Sequence, residues 1–342
     1  MRAFVIPEHG GPEVLTLVDR PVPEPGPREA RVRVHAVSLN HLDLWVRAGV
    51  PGHTFPLPIV PGCDVAGVVT AVGAGVTAVA PGDSVVVAPG LSCGLCQSCR
   101  AGDDALCPTY GILGETRDGG CQESLVVPDV NLFPKPESLD WAEASAVPLT
   151  FLTAWHMLKS RARVQPGERV VVHAAGAGVS VAAIQIGRLL GAHVMATAGS
   201  DAKCARALTL GAEEAVNYRT DDFARAARRW SGGRGVDVVV DHVGADTFES
   251  SLRCLVKGGR YVTCGATSGF EMKTDFRRVF FRSLSILGST MGGSHELGTV
   301  LSLVGAGRLR PVVDRIFPLS QLPDAHRHLA AREGFGKTVL TA

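Results

Sequence analysis

The sequence predicts an α/β protein in which a doubly wound parallel sheet is joined to a second, β-rich domain. Three observations carry that expectation. From about residue 152, short apolar runs alternate with helical stretches. The first 150 residues are instead short β-branched runs broken by Pro and Gly. A glycine loop, AAGAGVS (174–180), follows a strand-like run and opens a long helical one. The bulk numbers allow this: 342 residues, 46% apolar and 20% charged, suffice for two domains with filled cores. A net charge of +1 gives no global field toward nucleic acid or an anionic membrane, so neither is an expected partner. No run of about 18 uninterrupted apolar residues exists, and the start, MRAFVIPEHGGPEVLTL, has no basic segment leading into an apolar one. Nine cysteines, an odd count in a chain this long, point to reduced thiols rather than a disulfide framework. A cytoplasmic protein acting on small molecules is expected.

In the first domain, RVRVHAV (31–37), VAGVVTAV (65–72) and DSVVVA (83–88) read as strands, and PVPEPGPREA as an extended loop. A compact barrel-like unit fits this composition. The second domain begins with the strand RVVVHA (169–174) and the helix VSVAAIQIGRLLGA. HVMATA, EAVNY, VDVVVDHV, RYVTCG and LSILGST continue the strand series, with helical stretches such as DAKCARALTLGA between most of them. Roughly 140 residues of this pattern make a Rossmann-type dinucleotide-binding domain. After about residue 292, RPVVDRIFPL and GKTVLTA are strand-like and are expected to rejoin the first domain. The expected boundaries are 1–151 with 292–342, and 152–291.

Gly-Ala-Gly occurs at 73–75, 176–178 and 305–307, but only the second copy lies between a strand and a long helix. The backbone of Gly176, Ala177, Gly178 and Val179 is therefore expected to face a pyrophosphate. The third glycine of the usual pattern is Ser180 here, read as tolerated because serine is small. The next strand ends in Ala198-Gly199-Ser200, with no carboxylate to bind ribose hydroxyls or repel a 2′-phosphate. Ser200, Lys203 and Tyr218 then form the expected adenosine pocket, favouring NADP(H). NAD(H) is the alternative if Lys203 is only a solvated helix residue.

Cys93, Cys96, Cys99 and Cys107 are spaced C-x2-C-x2-C-x7-C within a lobe at 90–110. Four thiolates suit one tetrahedral Zn²⁺ and leave no position for substrate, so a structural zinc is expected. Redox-active thiols and an iron–sulfur cluster are the competing readings.

Nearly the whole chain now shows a family pattern. LNHLDLWVRAG (39–49), PGCDVAGVVTAVGAGV (61–76), the four-cysteine lobe, GGCQESLVVP (119–128), the glycine loop and the ending GKTVL carry it. The chain resembles the zinc-type medium-chain dehydrogenase/reductase superfamily, which includes alcohol dehydrogenases and quinone oxidoreductases. The resemblance implies a GroES-like catalytic domain, a Rossmann domain, and a homodimer or homotetramer formed through cofactor-domain edge strands, here residues 284–290. It also shows departures. The three catalytic-zinc ligand positions of alcohol dehydrogenases hold Asn40, Cys63 (in Gly62-Cys63-Asp64) and Val147 before Pro148, and the proton-relay positions hold Leu42 and Trp45. Asn40-x-x-Asp43-x-Trp45-x-Arg47 looks instead like quinone oxidoreductases, which transfer hydride from NADPH to quinones or conjugated carbonyls without catalytic zinc. By that resemblance Asn40 lines the nicotinamide–substrate cleft and donates through its amide, and Trp45 walls the pocket. Thr153, Val243, Gly265 and Thr267 contact the nicotinamide side. His41 is a candidate acid, and Asp43 a structural residue. His326 and His328 are expected on a surface helix. Two alternatives stay open: an alcohol dehydrogenase with a metal on Cys63 and Asp64, and an NADPH-binding protein without turnover.

Overall fold

Helix–strand alternation after residue 150 produces six parallel strands. Across the sheet they run Glu214–Asn217, His193–Ala198, Arg169–Val172, Val236–Asp241, Leu255–Thr263 and Ser285–Gly288. Counted along the chain this is 3-2-1-4-5-6, the doubly wound order, with its reversal point between the Arg169 and Val236 strands. The central strands are apolar on both faces: Val170, Val171, Val172 and Val238, Val239, Val240 are fully buried. Helices Phe223–Trp230 and Phe248–Cys254 contribute Phe223, Phe248 and Leu252 to a core with Met195, Val239 and Tyr261. The Ser285–Gly288 strand pairs only with Leu255–Thr263 and forms one edge of the sheet.

The computed structural model describes residues 1–342 and divides into Phe151–Gly292, which holds this sheet, and a unit made of Met1–Thr150 with Gly293–Ala342. The latter unit carries a seven-stranded sheet. Its main path is Val313–Pro318, Lys337–Thr341, Glu29–Ser38, Asp64–Val72, Ser84–Val87 and Leu132–Pro134, and Ser124–Pro128 also pairs with Glu29–Ser38. Only the first pair is parallel. The C-terminal residues thus complete a sheet begun by the N-terminal ones, with Val339 opposite Ser38 and Leu340 opposite Val37. Along Glu29–Ser38, Ala30, Val32, Val34 and Ala36 are buried, the period of two expected of a strand with one core face.

Two helices interrupt the strands of the C-terminal segment, Ser294–Gly305 and Leu322–Ala331. The latter corrects one sequence expectation. His326 is fully buried, not on a surface, with Nδ1 accepting from an Arg47 guanidinium at 3.2 Å and its pKa pushed down to about 3 by burial. His328, two residues further along the same helix, pairs with Asp314 at 2.8 Å. No helix is long and apolar enough to cross a membrane.

Candidate active site and cysteine lobe

Apart from Thr153, on the helix Pro148–Trp155, the expected cofactor residues follow the C-terminal ends of the parallel strands, where doubly wound sheets bind ligands. After Val172 the chain turns through Ala174, which adopts φ 53°, and the helix Gly178–Leu189 begins. Its N-cap, Ala177, supplies no capping side chain, and the first turn has no acidic residue. The leading N–H groups and the positive end of this helix therefore suit an anion. Ser180 is more than a small substitute for glycine. Its hydroxyl donates to the His173 carbonyl at 2.6 Å and lies 2.9 Å from His242 Nε2. With its one proton committed to the carbonyl, Ser180 accepts from His242, which fixes the Nε2–H tautomer. The loops after Val236–Asp241 and Leu255–Thr263 are joined by Thr267 N–H, which donates to the His242 carbonyl; within each loop, Val243 N–H donates to Asp241 and the Thr263 hydroxyl to the Gly265 carbonyl. Thr153 is buried and directs its hydroxyl at Met291 sulfur, 3.9 Å away.

At the adenosine end, Ser200 caps the helix Asp201–Thr209 by accepting from Lys203 N–H. Tyr218 is half exposed, and its hydroxyl lies so close to Gly199 that a β-carbon there would sit 2.7 Å from it. Arg219 Nε is 3.5 Å from the same point. Arg219 is a residue that sequence reasoning does not single out, although it directly follows Tyr218. The carboxylate of Asp201, directly after Ser200, accepts from Asn217 Nδ2 at 2.8 Å.

In the other unit, Asn40 ends an extended segment and starts the helix His41–Ala48. Its N–H donates to Asp43 Oδ2 at 2.7 Å, and Asp43 Oδ1 accepts from Gly62 N–H at 2.8 Å. Asp43 thereby ties the helix start to the turn before Cys63. Gly62 holds that turn at φ 97°, with a notional β-carbon only 2.8 Å from Cys121 sulfur. Burial raises Asp43 to about 6, partly opposed by these two N–H groups and the charge of Lys337. Asn40 Nδ2 faces Asp64 Oδ2 at 2.9 Å, Cys63 sulfur at 3.2 Å and the Ser38 carbonyl at 3.3 Å. Lys337 donates to Asn40 Oδ1 and to Asp64 Oδ2, the latter at 3.2 Å. Asp64 Oδ1 accepts from Leu149 N–H at 2.7 Å, two residues beyond Val147. Both carboxylate oxygens of Asp64 are thus engaged, and Asp64 and Cys63 are fully buried. Burial and the neighbouring carboxylates push the Cys63 thiol well up, so it is held neutral. The Asn40 amide is committed inward on both its atoms. His41 and Trp45, both half-buried, meet edge to face at 5.1 Å.

The four sulfurs of Cys93, Cys96, Cys99 and Cys107 lie within 4.8 Å of one another, with Cys93–Cys99 at 3.9 Å and Cys96–Cys99 at 3.5 Å. A tetrahedron with Zn–S bonds of about 2.3 Å needs sulfurs about 3.8 Å apart, so the set fits zinc. None is in a disulfide. Backbone N–H groups of Cys93, Cys96 and Cys99 point at Cys107, Cys93 and Cys96 sulfurs, an arrangement that favours thiolates. Gly94 and Gly102 take φ 67° and 86° where the loop wraps. Asp104, inside the lobe, accepts from Ser294 N–H at 3.1 Å and so caps the helix Ser294–Gly305. No other group of three or more His, Cys, Asp or Glu side chains has metal-holding geometry.

Residues 26–137 match the model of the alcohol dehydrogenase GroES-like domain, and residues 210–340 that of the zinc-binding dehydrogenase. A quinone oxidoreductase of Rattus norvegicus is 31% identical over 99% of this chain and 97% of its own. The chain belongs to the zinc-type medium-chain dehydrogenase/reductase superfamily. It is an NAD(P)-dependent oxidoreductase with the GroES-like and Rossmann-type units of that superfamily. A solved structure of an NAD-dependent alcohol dehydrogenase is 54% identical, with TM-score 0.97 and full coverage of both chains. The crotonyl-CoA carboxylase/reductase AntE, solved in complex with NADP, is 28% identical, with TM-score 0.91 over all of this chain and 94% of its own.

Proposed function

We propose that this superfamily member uses NADPH to reduce quinones or conjugated carbonyl compounds, with no catalytic metal and one structural zinc. The observation that carries the reading is the Asn40–Asp64–Lys337 cluster. Where alcohol dehydrogenases of this superfamily bind catalytic zinc, this chain offers an amide, a cysteine and a valine, and the carboxylate of Asp64 beside them already accepts from three donors. Such a set does not fit a zinc site, which normally needs three anionic or imidazole ligands.

A bound nicotinamide supplies the hydride; the protein's part is binding, orientation and exclusion of water. The N-terminus of Gly178–Leu189 would hold the pyrophosphate. Ser200, Lys203, Tyr218 and Arg219 would surround a 2′-phosphate, and Arg219 adds the bidentate donor that lysine lacks. The NADP bound by AntE supports this choice, whereas the 54% identical alcohol dehydrogenase is NAD-dependent. Asn40 acts as a residue that shapes the pocket wall, with Trp45 presenting an aromatic surface and His41 beside it. Thr153, Val243, Gly265 and Thr267 would hold the nicotinamide side. The Ser285–Gly288 edge strand, with Ile286 and the nearby Phe276, Phe280 and Phe281 exposed, would be the self-association surface.

The likeness to that alcohol dehydrogenase supports a second reading, alcohol oxidation with a metal on Cys63 and Asp64. Steady-state assays separate the two. Oxidation of NADPH by quinones or enones, with alcohols inert as hydride donors, is expected. Alcohol oxidation that rises with added zinc would reverse the assignment. Binding of NADPH at least about tenfold tighter than NADH, lost on Lys203→Ala with Arg219→Ala, is expected of the 2′-phosphate pocket.

A further inference from the structure

The third glycine of a dinucleotide-binding loop lets its helix pack closely on the sheet. Here that position holds Ser180, fully buried, whose hydroxyl must therefore be paired. Its proton goes to the His173 carbonyl at 2.6 Å, and its oxygen accepts from His242 Nε2 at 2.9 Å. The two partners stand on opposite sides of the reversal point of the sheet. Ser180 lies in the first turn of the helix after Arg169–Val172, and His242 directly follows Val236–Asp241. The pair therefore bridges the crevice where a doubly wound sheet receives its dinucleotide. The backbone of the same histidine is joined to the next loop. Its carbonyl accepts from Thr267 N–H at 3.1 Å, and the Val243 carbonyl accepts from Ser268 N–H at 2.8 Å. Toward the neighbouring strand His193–Ala198, the glycine loop is fixed by Ala175 N–H, which donates to the Thr197 carbonyl at 2.8 Å.

We infer that His242 is a positioning residue for the dinucleotide, acting through Ser180 on the helix start that receives the pyrophosphate and through Thr267 on the loop expected at the nicotinamide. An anion is held at a helix N-terminus by several N–H groups converging on it, and each of those bonds weakens steeply with misalignment. With glycine at the third position, direct contact between helix and strand sets where those groups point. With Ser180, two hydrogen bonds set it, and His242 supplies one of them. The same residue holds Thr267 N–H, so a shift of the His242 segment moves the pyrophosphate end and the nicotinamide end together. The inference rests on the dinucleotide site at Gly178–Leu189. It does not depend on which nicotinamide cofactor fills that site or on the substrate that is reduced.

The test measures binding to the full chain with two probes: NADPH, which carries the pyrophosphate, and adenosine 2′-monophosphate, which has none. His242→Ala is expected to raise the NADPH Kd by about tenfold, the worth of one buried hydrogen bond, and to leave the Kd of adenosine 2′-monophosphate within about twofold. Ser180→Ala keeps the size of the side chain without its hydroxyl and is expected to show the same contrast between the probes. The double variant should be no weaker than Ser180→Ala alone, because both changes remove the same bond. His242→Gln places an amide N–H near the position of Nε2 and is expected to recover most of the loss. If His242→Ala does not fold, His242→Met fills the space of the ring without a donor and carries the test. Unchanged NADPH affinity in the folded alanine variants, or costs that add in the double variant, would overturn the inference. Equal weakening of both probes would overturn it as well, since the pair would then support the fold at large rather than the pyrophosphate end. If the wild type binds NADH more tightly than NADPH, the proposed 2′-phosphate pocket fails, and the same comparison made with NADH and adenosine still decides the role of His242.

Discussion

Removing the charge of Lys337 should expose how much the fold of its unit depends on one buried ion pair. Its Nζ and Asp64 Oδ2 are 3.2 Å apart, with side chains 5% and 0% exposed. At an effective dielectric constant of about 20, charges at that separation attract by roughly 5 kcal/mol. Truncating one partner of a buried pair costs about 3–5 kcal/mol, because the other charge is left without compensation. Lys337→Met and Asp64→Asn are each expected to destabilise the unit by that amount. The double variant should cost at least about 2 kcal/mol less than their sum, since neither charge then remains and the amide oxygen still accepts from Leu149 N–H. Urea denaturation gives the energies. Hydrogen exchange on Glu29–Ser38 and Lys337–Thr341 assigns them to this sheet rather than to the Rossmann unit. If the single costs add to within about 0.5 kcal/mol, the two groups do not interact and the pair is not a pair.

Other perturbations have defined outcomes. Asp43 titrates near 3.8 when unfolded and about 6 when folded, so between those values the folded chain binds more protons. Its contribution to stability is fully present below about 3.8 and lost as the pH rises through 6, amounting to roughly 3 kcal/mol; Asp43→Asn should flatten that part of the pH–stability curve. Cys107→Ser should lower the zinc content from one to none and raise hydrogen exchange across residues 90–110 and at the start of Ser294–Gly305, while the fraction that remains folded keeps hydride transfer. Complete loss of turnover in that folded fraction would mean the zinc takes part in the chemistry. Ile286→Lys together with Phe280→Glu should shift the protein toward monomer in analytical ultracentrifugation, and an unchanged sedimentation coefficient would place the association surface elsewhere.

Much of this architecture is legible because its signals are local. Val-rich runs such as RVVV and VDVVVD, each followed by a helical stretch, specify a doubly wound sheet through burial on both faces. Four cysteines in fifteen residues meet in space with no long-range contact required. What escapes the sequence lies mainly in contacts between distant segments. Lys337 and Asn40 are separated by 297 positions, and nothing near either names the other. One hint is available: alternation places Lys337 on the same face as the fully buried Val339, and a lysine there calls for an anionic partner. The helix His41–Ala48 also has a local signal, the Asn40-x-x-Asp43 pattern of a helix start. Size alone accounts for Ser180 only until its partner His242, on a different strand end, is in view. The burial of His326 is hidden because polarity of side-chain type is a weak guide when an arginine such as Arg47 packs over it.

Metal content and turnover measured on the same preparation bear most directly on the mechanism. Protein purified without chelator is expected to contain one zinc per chain and to oxidise NADPH with a quinone or enone at a rate unaffected by added Zn²⁺ or Co²⁺. Two zinc ions per chain, with the rate rising in step with occupancy of the second, would contradict hydride transfer without a catalytic metal.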